Sequence, residues 1–136
     1  MVVFLRKMNA ENKKTAIAGI HDHDIGEIVI RALERRGYEA TCAVNMEDMR
    51  KEMDSNPNSS FYIMDINLGM PGEPFVEPAL EAYNRIKESI EKGEVKFYGI
   101  SGSPQVINMA IKSGIPKEHI INKGDDRFFD VLRGRE

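Results

Sequence analysis

Five times along this chain a short apolar run is followed by a stretch of helical periodicity, and that alternation narrows the folds open to it. Residues 15–20 form the first run, apolar at nearly every position, as expected of a strand buried on both faces. Ile25, Ile28, Val29, Ala32 and Leu33 then recur at the spacing of one helix face, and Gly37 supplies the stop. Residues 38–44 predict a second strand. Met46, Met49 and Met53 predict a second helix with its methionines in the core, broken at Asn56-Pro57-Asn58. A third strand runs over residues 61–64 to Asp65. It is followed by a loop with Gly69, Pro71, Gly72 and Pro74 and a helix turning Ala79, Tyr83, Ile86 and Ile90 inward. Residues 95–100 predict a fourth strand ending on Ser101. Val106, Ile107, Ala110 and Ile111 mark the next helix, which stops at Gly114, and residues 119–122 form a short fifth strand ending on Lys123. The last helix presents Phe128, Phe129, Val131 and Leu132. Strands that alternate with helices need crossover connections, so the expected class is α/β: a mostly parallel, doubly wound sheet with helices on both faces.

The length of 136 residues suits one domain with its own core. The expected division is an N-terminal arm over residues 1–14 and a single domain over residues 15–136. A formal net charge of −3 gives no global attraction to nucleic acid, and no apolar run is long enough to cross a bilayer. Residues 1–7 lack the apolar core and cleavage site of a signal peptide, and Cys42 is the one cysteine, so a reducing cytoplasm is expected. Inside a strand, Cys42 reads as a small buried hydrophobe.

In open α/β sheets ligands bind outside the carboxyl ends of the strands. The residues expected there are His21, Asp22 and Asp24 after the first strand, Asp65 after the third, Ser101 after the fourth and Lys123 after the fifth. They form a set of carboxylates, a hydroxyl and an ammonium. In isolation each has a plainer explanation: Asp65 as a turn cap, Ser101 as a turn residue before Pro104, Lys123 as a solvated charge.

Taken together, these residues resemble the receiver domain of two-component response regulators, of the chemotaxis type, over about residues 15–133. The likeness is carried by Phe61-Tyr62-Ile63-Met64-Asp65-Ile66-Asn67-Leu68 with Met70-Pro71-Gly72, by Phe97-Tyr98-Gly99-Ile100-Ser101-Gly102-Ser103, and by Ala110-Ile111-Lys112-Ser113-Gly114 leading to Ile120-Ile121-Asn122-Lys123. Ser101 and Lys123 are 22 positions apart and Gly37 and Asp65 are 28 apart, as in a typical receiver. The resemblance implies a flavodoxin-like five-stranded parallel sheet in the order 2-1-3-4-5. It implies that Asp65 accepts a phosphoryl group from a histidine kinase or phosphotransfer protein, with Lys123 and Ser101 contacting the phosphoryl oxygens. It also implies Mg²⁺ held by Asp65, an upstream acid and the backbone carbonyl of Asn67, which offsets the repulsion between carboxylate and phosphoryl group. Output would pass through changed contacts with a downstream protein, since the chain ends at Glu136 soon after the last helix.

The sequence departs from the receiver pattern in several places. Two adjacent acids usually close the first strand, but an ungapped alignment puts Ile20 and His21 there, and a one-residue shift puts His21 and Asp22 there. Asp22 is then the first choice for the metal carboxylate and Asp24 the next. The loop after Asp65 is several residues longer than usual, Gly124 follows the lysine in place of a proline, and Ile120 stands where a switch aromatic often lies. A pseudo-receiver that has kept the fold as a protein-interaction module is the alternative. His21-Asp22-His23-Asp24-Ile25-Gly26 also partly resembles a cobalamin-binding signature, with His21 where that pattern has Asp.

Overall fold

The computed structural model describes residues 14–136; the arm expected over residues 1–14 lies, apart from Lys14, outside the described residues. The elements are β1 (Thr15–Gly19), α1 (His23–Arg35), β2 (Glu39–Ala43), α2 (Met46–Ser55), β3 (Phe61–Asp65), α3 (Glu77–Glu91), β4 (Lys96–Ser101), α4 (Pro104–Lys112), a 3₁₀ turn (Lys117–His119), β5 (Ile120–Asn122) and α5 (Asp126–Leu132). The five strands pair in parallel in the order 2-1-3-4-5, the flavodoxin-like arrangement that the resemblance implies.

Side-chain alternation along the strands divides the core into two layers. Ile17, Tyr62, Met64, Phe97 and Ile120 point to one face of the sheet, where Met49 and Met53 of α2, Ala79 and Tyr83 of α3, and Val106 and Ala110 of α4 cover them. Ala16, Ala18, Phe61, Ile63, Tyr98, Ile100 and Ile121 point to the other, under Val29 and Leu33 of α1 and Phe128, Val131 and Leu132 of α5. Each central strand is therefore wrapped on both faces, which is why β3 is buried at every residue and carries no charged side chain until Asp65.

Three expected core positions lie outside it. Ile28 is 56% exposed, because α1 buries the narrower arc of Gly26, Val29 and Leu33. Phe129 is 48% exposed and packs on Phe128 at the surface of α5. Cys42 is exposed, because β2 is the edge strand and its outer margin has no neighbour. The α1 backbone at Gly26 nevertheless crowds its sulfur: a Cβ there would stand 3.2 Å from Sγ, and this partial burial raises the thiol pKa.

Candidate functional site

Parallel register brings the carboxyl ends of the inner strands to one level. Gly19 stands opposite Met64, Asp65 opposite Ile100, and Ser101 opposite Asn122. The pairing continues past the strands, with the Lys123 N–H donating to the Ser101 carbonyl at 3.0 Å and the Ile66 N–H to the Ile100 carbonyl at 3.0 Å. Above this edge is an open cavity of about 390 Å³, lined by His21, Asp22, Asp65, Asn67, Ser101 and Lys123 and walled by residues 71–74 and by Gly102, Ser103, Gln105 and Val106.

Asp65 forms its floor and is 5% exposed. The His21 backbone N–H donates to its Oδ2 at 2.9 Å, and Lys123 Nζ lies 2.8 Å from its Oδ1. The Oδ1 contact is an ion pair rather than a well-directed hydrogen bond, so that oxygen keeps unused acceptor capacity. Burying a carboxylate this deep is costly without such partners, and removal of the lysine would leave it without its ion pair. Ser101 is buried and its Oγ accepts the Ser103 N–H at 3.0 Å, which leaves its own hydroxyl proton to donate into the cavity. Ser103 in turn caps α4 by accepting the Val106 N–H at 3.3 Å. The amino ends of α1 and α4 both face the cavity, adding partial positive charge to that of Lys123.

The acids expected after β1 separate in space. Ile20 is fully buried in the layer under α1, which takes it out of the site. His21 and Asp22 line the cavity. Asp22 is also the N-cap of α1, its Oδ1 accepting the Ile25 N–H at 3.0 Å, so its second oxygen is the one left for a ligand. Asp24 lies in the first turn of α1, exposed and off the cavity lining, and takes no place beside Asp65. His23 lines a different recess with Cys42, Gly26 and Ile30.

The oxygens available to a divalent cation are thus the carboxylates of Asp22 and Asp65 and the carbonyl of Asn67, which already accepts the Met70 N–H at 2.9 Å. Among the described residues no three His, Cys, Asp or Glu side chains are grouped closely enough to hold a metal by themselves. A hard-oxygen set of two carboxylates and a carbonyl suits Mg²⁺, an ion that retains several waters.

The long loop after β3 is held by the Asn67 side chain. Its Nδ2 donates to the Met70 carbonyl at 3.1 Å and to the Glu73 carbonyl at 2.9 Å, holding the turn whose residues 71–73 border the cavity. Sequence reasoning chose Asn67 for its backbone oxygen and missed this second use, as it missed Glu73 and Gln105 among the lining residues. The extra loop length was the available signal.

No protein-family model matches the chain, and no curated protein sequence does. Solved structures do. A response regulator from Thermotoga maritima is 21% identical with a TM-score of 0.60, the match covering 90% of this chain and 93% of that one. The beryllofluoride-activated NtrC4 receiver domain dimer gives 19% and 0.59, over 90% and 94%. A response regulator receiver protein from Burkholderia phymatum gives 18% and 0.59, over 90% and 96%. At these identities the likeness is one of fold: the chain has the α/β fold of response-regulator receiver domains. No helix among the described residues is long and apolar enough to cross a membrane.

Proposed function

We infer that the chain is a response-regulator receiver that accepts a phosphoryl group on Asp65 from a histidine kinase or phosphotransfer protein. The observation that carries this reading is the pairing of a 5% exposed Asp65 carboxylate with Lys123 at 2.8 Å, on the floor of an open cavity at the strand ends. An ion pair that buries its carboxylate is a poor device for stability, and its position at a ligand-binding edge favours a chemical use.

Asp65, the free oxygen of Asp22 and the Asn67 carbonyl would hold Mg²⁺, which when bound supplies the positive charge that an anionic nucleophile and an anionic phosphoryl group both need. Asp65 attacks phosphorus through a carboxylate oxygen as the phosphorus–nitrogen bond of the donor phosphohistidine breaks and its imidazole leaves with the bonding pair. Lys123 transfers its ion pair from the carboxylate to the phosphoryl oxygens, and the Ser101 hydroxyl donates to one of them. Loss of the Lys123–Asp65 pair and recruitment of Ser101 change the loop that starts α4 and the end of β5, so a downstream protein that prefers one of the two states reads the change.

Intact-mass analysis after incubation with phosphoramidate or acetyl phosphate and Mg²⁺ tests this reading. One phosphoryl adduct is expected on the native chain and none on Asp65→Asn; an adduct that survives Asp65→Asn would remove Asp65 from its role. The pseudo-receiver reading is favoured by one observation, the commitment of Asp22 to the α1 cap beside a histidine in place of a second acid. No adduct with either donor, and no spectral change with Mg²⁺ and beryllofluoride, would make it the better account.

A further inference from the structure

Glu73 lines the cavity and is exposed, which places it at the mouth, opposite in depth to the buried Asp65. Its backbone is secured at both ends: its N–H donates to the Met70 carbonyl at 3.2 Å and its carbonyl accepts from Asn67 Nδ2 at 2.9 Å. No hydrogen bond or ion pair with another described residue engages its carboxylate. The loop thus adds an exposed acid to the lining of a cavity whose floor is also an acid.

Resting on the reading that Asp65 is phosphorylated, we propose that Glu73 is a specificity-determining residue that selects phosphodonors with a phosphorus–nitrogen bond over acyl phosphates. Displacement at phosphorus is in line, so with the nucleophile on the floor the leaving group departs toward the mouth and toward Glu73. With phosphoramidate, the Asp65 oxygen–phosphorus bond forms as the phosphorus–nitrogen bond breaks. The nitrogen, protonated in the donor, takes the bonding pair and leaves as neutral ammonia. A phosphohistidine protonated on its second ring nitrogen leaves as neutral imidazole in the same way. In both, the group facing Glu73 starts out cationic, and a carboxylate attracts it and accepts its N–H hydrogen bonds. With acetyl phosphate, the phosphorus–oxygen bond breaks and acetate departs as an anion, from a donor that already carries two negative charges. Glu73 repels that group on entry and during departure.

The test compares initial rates of Asp65 phosphorylation by phosphoramidate and acetyl phosphate at equal Mg²⁺ and low ionic strength, followed by intact mass, in the native protein, Glu73→Gln and Glu73→Lys. One unit charge acting across a wet cavity mouth is expected to alter a rate by about three- to tenfold. Glu73→Gln should therefore lower the phosphoramidate-to-acetyl phosphate rate ratio by that factor, chiefly through faster reaction with acetyl phosphate. Glu73→Lys should lower it further, and added salt should shrink both effects. A ratio unchanged in both variants, or both donors shifted by one common factor, overturns the proposal while phosphorylation itself stands. Failure of both donors in all three proteins would instead overturn the reading on which it rests.

Discussion

On the floor of the cavity, Asp65, Ser101 and Lys123 stand at the ends of three adjacent strands whose register is set by backbone pairing across a doubly covered sheet. At the rim, residues 70–73 are held by the side-chain amide of Asn67 and by turns with positive φ at Gly69 and Gly72. The floor positions charge with a network that cannot yield locally without disturbing the core, whereas the rim positions charge with a few solvent-accessible bonds. Side chains that must hold position are better fixed by strands, whereas a loop can carry a charge that needs only to lie in the right region.

Two glycines expose the contrast most sharply. A Cβ at Gly19 would stand 3.0 Å from each of Leu68 Cδ2, Met49 Sδ and Met64 Cβ, all in the packed layer beneath the floor. Gly19→Ala should cost about 1–3 kcal/mol, read from the urea midpoint at constant slope. At the rim, Gly72 has φ 81° and open space where a Cβ would go, so Gly72→Ala meets a conformational penalty alone, about 1 kcal/mol. If the rim variant proved as costly as the floor variant, the loop would belong to the cooperative core and the contrast would fail.

Asn67→Ala should be gentler on global stability, by less than about 1 kcal/mol, because both lost bonds are exposed and water replaces them. Its effect should be local: faster amide exchange at Met70 and Glu73, whose N–H groups close the turns that the clamp stabilises. Unchanged protection there would show that Pro71 and Pro74 stiffen the loop without help.

The smallest effect belongs to the ion pairs that tie α3, the helix leaving the rim, to α2. Arg50 holds Glu81 through two bonds of 2.7 and 2.8 Å, and this contact lowers the Glu81 pKa below its ordinary value. A carboxyl depressed in the folded state contributes stability above its unfolded pKa and loses it as pH falls through the folded one. The stability difference between the native protein and Glu81→Gln should accordingly be present at neutral pH and vanish in acid, and remain small because both side chains are about half exposed. A difference that grew on acidification would assign Glu81 a different partner.

The order of elements, the parallel sheet and the three strand ends at Asp65, Ser101 and Lys123 were legible in the chain itself. Central strands buried on both faces must read as apolar runs, and polar residues can first appear where those strands emerge. The same rule misjudged Cys42, since an edge strand such as β2 satisfies the apolar pattern without being enclosed. It also misjudged Ile28 and Phe129, because periodicity marks a helix face but not how wide an arc a neighbouring layer will cover. Which acid after β1 reaches the cavity was decided by the fold. Ile20 is drawn into the core, Asp22 is left at the cap of α1, and Asp24 turns away with the first helical turn. The presence of Glu73 in the lining of the cavity that holds Asp65 likewise rests on tertiary structure, because a long loop has no periodicity to read and its path depends on two hydrogen bonds from Asn67.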